Sequence, residues 1–233
     1  MNTLVQYTTA DNYAIIKIEN GKVNAISHEV IDALNACLDK AEAEERAVIL
    51  TGQDGILSGG YDLKVMTKSL DAAKELVTRG SKLSHRLLSF PTPVIVACGG
   101  HAVAKGAFLL LSADYRIGVE GDFKIGLNEV MIGMTMHQAG IEIAKGRLAP
   151  VFFERSVNNA EMYSPKDAQT AGFLDKVVPQ EHLLPTAIKV AQLFGKLNKE
   201  AHKNTKLKVR KQHLENLANA IEQDMAEELS FNQ

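Results

Sequence analysis

The elements legible in this 233-residue chain are those of an α/β protein built from parallel crossover units. Three observations carry that reading. Short β-branched runs alternate with longer helical patterns. Residues 93–97 (PVIVA) are apolar throughout, as in a strand covered on both faces. Thirteen of the 17 glycines fall between positions 52 and 140, so the middle of the chain needs unusual backbone where strands hand over to helices.

Each element has its own local signal. Residues 4–7 and 13–18 are rich in β-branched and aromatic side chains and flank Asp11-Asn12, which predicts an opening hairpin. Ser27 caps a helix over 28–46 in which Val30, Ile31, Leu34 and Leu38 share a face. A strand at 47–51 follows. Beyond the glycine-rich stretch 52–60, Leu76, Leu83, Leu87 and Leu88 mark a second helix over 71–88, which stops before Pro91. Strand 93–97, a buried helix 105–112 and strand 115–119 repeat the order. Past Ser164-Pro165 come a helix at 166–171, Gly172 and a short strand at 176–178, then helices to the end. Leu207, Leu214, Leu217, Ile221, Met225 and Leu229 keep helical spacing, so the last helix is expected to be amphipathic. With no low-complexity linker and no fixed-period repeat, residues 1–195 read as one core. Residues 196–233 read as a helical region that packs on its own chain or serves as an oligomerisation element.

The 26 Lys+Arg and 28 Asp+Glu leave a net charge of -2, which gives no global attraction to nucleic acid or an anionic membrane. Any anion must be bound locally. Cys37 and Cys98 lie far apart in apolar segments and form neither a disulfide framework nor a metal pair, which suits a reducing, cytoplasmic setting. The first residues lack a basic stretch followed by an apolar run, and no run is long enough to span a membrane. None of the seven histidines has metal-site spacing, and His101 and His137 are expected to be structural.

Three motifs carry chemistry. In Leu57-Ser58-Gly59-Gly60-Tyr61-Asp62-Leu63, two glycines after a strand can turn peptide N–H groups into a cavity, or simply make a tight turn before a helix capped by Asp62. In Cys98-Gly99-Gly100-His101-Ala102-Val103-Ala104-Lys105-Gly106, a strand feeds glycines and then a helix N-terminus with free N–H groups. In Lys124-Ile125-Gly126-Leu127-Asn128-Glu129-Val130, Glu129 sits among apolar neighbours, where desolvation would raise its pKa toward that of a general base. Met131, Met134 and Met136 nearby could line a pocket or fill core.

In this order the three motifs resemble the crotonase (enoyl-CoA hydratase/isomerase) superfamily, over about residues 13–179 and including the stretch 164–179. The resemblance implies a ββα spiral fold, an acyl-CoA thioester substrate, a role in fatty acid metabolism such as β-oxidation, and a homotrimer or dimer of trimers. It implies no separate cofactor, since coenzyme A is part of the substrate. Backbone N–H groups of Tyr61 and Lys105 would form the oxyanion hole, with Gly59, Gly60, Asp62, Gly106 and Phe108 around the acyl group and Lys22 and Ala25 near the adenine end. The basic cluster Lys199, Lys203, Lys206, Lys208, Arg210 and Lys211 reads as a solvated helix face, although the resemblance allows contact with CoA phosphates.

Two departures matter. Hydratases of the superfamily carry two glutamates; Glu129 matches one, and Phe108 stands at the other. Hydration needs water to be held and deprotonated while a proton reaches C2, which two carboxylates share. Moving a double bond from C3 to C2 needs one carboxylate, and the sequence resembles the mitochondrial Δ3,Δ2-enoyl-CoA isomerases in this respect. Hydration, decarboxylation, thioester hydrolysis and non-catalytic CoA binding are the alternatives on this scaffold. The second departure is Lys105, where the superfamily usually has glycine; its cation must point away or contact the ligand.

Overall fold

The computed structural model describes residues 4–226. Strands β1 (Val5–Ala10) and β2 (Tyr13–Ile18) form the expected hairpin, with Asp11 at φ 43° in the turn. Helix α1 (His28–Ala43) starts where the Ser27 hydroxyl accepts from Val30 N–H, and the chain turns out of it at Glu45, φ 50°, short of the predicted residue 46.

From there one plan recurs: a strand in a large sheet, a shorter strand in a small sheet, then helix. β3 (Ala47–Thr51) leads to β4 (Gly55–Ser58), α2 (Leu63–Met66) and α3 (Leu70–Ser89). β5 (Val94–Cys98) leads to β6 (Gly100–Val103) and α4 (Lys105–Leu111). β7 (Tyr115–Val119) leads to β8 (Ile125–Gly126), a 3-10 turn at Val130–Ile132, α5 (Gln138–Lys145) and α6 (Pro150–Val157). Then come α7 (Pro165–Ala171), β9 (Lys176–Val178), α8 (Leu183–Phe194) and α9 (Lys199–Ala226). The large sheet runs β1-β2-β3-β5-β7-β9, antiparallel only at the hairpin, and the small one runs β4-β6-β8. The second strands are what sequence reading takes for glycine-rich loops. They are two to four residues long and too short to show a period; helices α5 and α6 fall in a stretch to which no element was assigned from the sequence.

Alternation along the large strands explains their unbroken apolar runs. Ile49, Ile95, Ala97 and Ile117 face one cluster, with Leu183, Ala187 and Ala191 of α8. Val48, Leu50, Val94, Val96 and Cys98 face the other, with residues of α1, α3 and α4. A parallel strand buried on both faces has no polar side to show.

Helix α9 departs from the expected apolar stripe. Leu217, Ala220 and Ile221 are buried, but Leu207 and Leu214 are half-exposed, Met225 is exposed, and Leu229 lies outside the described residues. Its buried face also carries Lys206 and Asp224, because α9 lies against its own α3 and α5 and completes their polar groups. Lys206 Nζ donates to Phe90 O and Thr92 O at 2.9 Å and pairs with Asp114 at 2.6 Å; Arg210 pairs with the other Asp114 oxygen at 2.9 Å. These two cations of the basic cluster therefore hold the fold and are not free for phosphates. Among the described residues, no helix is long and apolar enough to cross a membrane.

Candidate functional site

The site is built where the first two short strands end. Asn24, in the left-handed region at φ 50° that asparagine tolerates, donates from Nδ2 to Ile18 O at 3.1 Å and Leu57 O at 2.7 Å. It thereby straps the segment Lys22–Ile26 across β4. Ile26 N–H donates to Gly60 O at 2.8 Å and Asp62 N–H to Ile26 O at 3.0 Å. In a parallel bridge the residue between those two partners turns its own N–H the other way, so the Tyr61 amide faces away from Ile26. Gly60 has φ +115°, and a Cβ there would lie 3.0 Å from the Ala104 Cβ and 3.8 Å from Lys105 N. The Tyr61 and Lys105 loops meet at this glycine.

The second loop is fixed as firmly. Ala104 N–H donates to Gly126 O at 3.0 Å, and Ala104 itself has φ 51° and ψ -119°. Lys105 opens α4 with no side-chain cap, and Gly106 packs so closely on the Ser58 carbonyl that any side chain would collide. Asp62 caps α2, accepting from Lys64 N–H at 2.8 Å. Lys22 is exposed and Ala25 half-buried, on the strap over β4.

Glu129 follows β8, whose Gly126 receives the Ala104 N–H. Its side chain is only 5% exposed, its Oε2 has no hydrogen-bond partner, and burial pushes its carboxyl up to about 7. Charge on Glu129 raises the Tyr61 phenol after burial has done so, which places the two groups in one environment. Among the described residues the other buried acid is Asp224, and both its oxygens accept backbone N–H groups, from Gln138 at 2.7 Å and Ala139 at 2.9 Å. Asp224 thus caps α5 from α9 and is not available for proton transfer.

Phe108 is buried and meets the His137 ring edge-on at 5.6 Å; burial, then the Lys105 charge, lowers that imidazole to about 4. His137 packs as a neutral ring on Phe108, and His101 Nδ1 accepts from Lys124 N–H at 2.9 Å, the structural role expected of it. Met136 is buried and Met131 exposed, a mixture of core and surface. The side chain of Lys105 settles one question left by the sequence: it points away from the Gly60 side, into the protein, and reaches α3. No grouping of three or more His, Cys, Asp or Glu side chains that could hold a metal occurs among the described residues. Sequence reading misses Asn24 as a strap, Gly80 and Ser84 as partners of Lys105, and Asp224 as a cap. Each acts over long sequence separation.

Two adjoining peptide N–H groups and one desolvated carboxylate with a free oxygen suit proton transfer next to a carbonyl. The comparisons agree in kind. A model of the family "Enoyl-CoA hydratase/isomerase" matches residues 8–232. A crystal structure of an enoyl-CoA hydratase/isomerase family protein from Pseudomonas syringae is 62% identical, with a TM-score of 0.96 over 97% of this chain and 98% of that one. A probable enoyl-CoA hydratase of Bacillus subtilis is 31% identical over 69% of this chain, which spans 64% of that protein's length. Mitochondrial enoyl-CoA delta isomerase 1 of Mus musculus is 28% identical over 98% of this chain and 81% of its own. The shared spiral and a family match across nearly the whole sequence make this chain a member of the enoyl-CoA hydratase/isomerase family.

Proposed function

We propose that the protein is a Δ3,Δ2-enoyl-CoA isomerase. The observation that carries this reading is Glu129, the one buried carboxylate among the described residues with an oxygen left free, while by the family resemblance Phe108 stands where a second acid would be needed to hold water. The Tyr61 and Lys105 N–H groups accept the developing charge on the thioester oxygen. Glu129 removes a proton from C2, and the C2–H electrons move into a dienolate spread over the oxygen and C2 to C4. The same carboxylic acid then returns the proton to C4, leaving the double bond between C2 and C3. No water enters the balance, and Phe108 keeps water out. The isomerase relative named above supports this reading, as the hydratase relative supports the alternative of enoyl-CoA hydration.

Conversion of a 3-enoyl-CoA to the 2-enoyl-CoA, measured for wild type and Glu129→Gln, tests the assignment. Loss of an acid–base group predicts a fall of about 10²–10⁴-fold in kcat. Full activity in the variant would remove Glu129 from the mechanism.

A further inference from the structure

The side chain of Lys105 leaves the site for the interior. It is 1% exposed, and its Nζ donates to the Gly80 carbonyl and to Ser84 Oγ, each at 2.6 Å, on α3. Burying an amine is costly, and glycine or methionine here would avoid that cost. Burial lowers this amine to about 7, and no carboxylate offsets the desolvation.

Two further observations indicate what the amine does. Ala104, directly before it, has φ 51° and ψ -119°, a strained conformation that persists only where neighbours over-determine it, and α4 has no side-chain cap to help. The same stretch of α3 also receives Tyr61, whose hydroxyl donates to Val77 O at 3.4 Å and packs so tightly on Gly80 that a methyl group there would strike it. The side chains of both residues whose amides meet at Gly60 therefore end on residues 77–84 of one helix.

We infer that the Lys105–Ser84–Gly80 tie is a positioning device: it fixes the Lys105 N–H relative to the Tyr61 N–H, with α3 as their common abutment. This rests on the oxyanion hole of the proposed function. Lys105 Nζ touches no substrate in this role. Donors held to suit the oxyanion rather than the ground-state carbonyl act mainly in the transition state, so the tie is read in kcat more than in KM.

Lys105→Met keeps the apolar stem and removes both hydrogen bonds, while Ser84→Ala removes one. Complete loss of an oxyanion donor costs about 10²–10³-fold in kcat, so a displaced donor is expected to cost about 10–100-fold in Lys105→Met and less in Ser84→Ala, with KM nearly unchanged. A conjugated 2-enoyl-CoA analogue supplies a second readout, because its absorption moves to longer wavelength when the thioester oxygen accepts hydrogen bonds. Wild type is expected to produce that shift and both variants a smaller one. If wild type shifts the analogue and both folded variants match its shift and kcat, the tie is overturned while the oxyanion hole stands. If wild type gives no shift, the hole and the tie fall together. Circular dichroism checks folding, and if Lys105→Met does not fold, Ser84→Ala, which loses a single oxygen, decides the matter by the same two readouts.

Discussion

Glu129 owes its reactivity to the same burial that makes it expensive to keep. Its free carboxyl oxygen and apolar surroundings raise its pKa to about 7, so the carboxylate needed to take the C2 proton accumulates only as pH rises toward that value. The expected profile of kcat/KM climbs from pH ~5 and levels off above about 7; a flat profile across that range would contradict a base of this kind. Stability runs the other way. The folded carboxyl is raised above its ordinary value, so its contribution is fully present below about 4.5 and is lost as pH climbs through about 7, at about 1.4 kcal/mol per pH unit inside that window. Thermal melts should therefore show Glu129→Gln more stable than wild type at pH ~8, with the difference shrinking toward pH ~5. Equal melting temperatures at both values would mean that Glu129 is not desolvated. Glu129, Tyr61 and Lys105 were legible as candidate positions because each lies in a local motif, and Phe108 became one only through the family resemblance. The destination of the Lys105 side chain was not, since Gly80 and Ser84 are 25 and 21 residues away.

At the scale of elements, α9 is a structural member of the site rather than a loose appendage. Asp224 caps α5 directly after His137, so Asp224→Ala should lower stability by about 0.5–2 kcal/mol in denaturant unfolding, the usual effect of losing a helix cap. Lys206 is a stronger case. Its amine holds two carbonyls at the α3–β5 turn as well as Asp114, and Lys206→Ala leaves buried acceptors unpaired. Breaking such a pair costs about 3–5 kcal/mol, and the lower end is expected because Arg210 still faces Asp114. A loss below about 0.5 kcal/mol would show that the pair is no more than a surface bridge. The large-sheet strands, α1, α3 and α4 were readable from capping and periodicity, four strands to the residue and the others within three residues at their ends. The small sheet was not: β8 has two residues, and its strands announce themselves only through glycines that let backbones approach. The apolar stripe expected of α9 was also only half right, because three of its buried positions are polar or alanine, chosen by partners far away in sequence.

For the whole molecule, the near-balance of charge suits a ligand held by backbone donors and local side chains rather than by a basic surface. Leu63, Leu70, Met131, Ile132 and Val151 remain exposed on one chain. The homotrimer or dimer of trimers implied by the family resemblance would cover part of that area, and sedimentation of the purified protein should then give three or six times the 25.4 kDa chain mass; a monomer would exclude both. The ββα plan ties these scales together, because the loop that leaves each small-sheet strand carries one candidate site residue. Two of those loops bring the Tyr61 and Lys105 amides together, and the third ends in Glu129. On the proposed reading one carboxylate, Glu129, moves a double bond and does not add water. The most direct measurement offers wild-type protein a 3-enoyl-CoA and, separately, a 2-enoyl-CoA, and separates the products by chromatography. The prediction is 2-enoyl-CoA from the first and no 3-hydroxyacyl-CoA from the second; efficient hydration of the 2-enoyl-CoA with no isomerisation would contradict it.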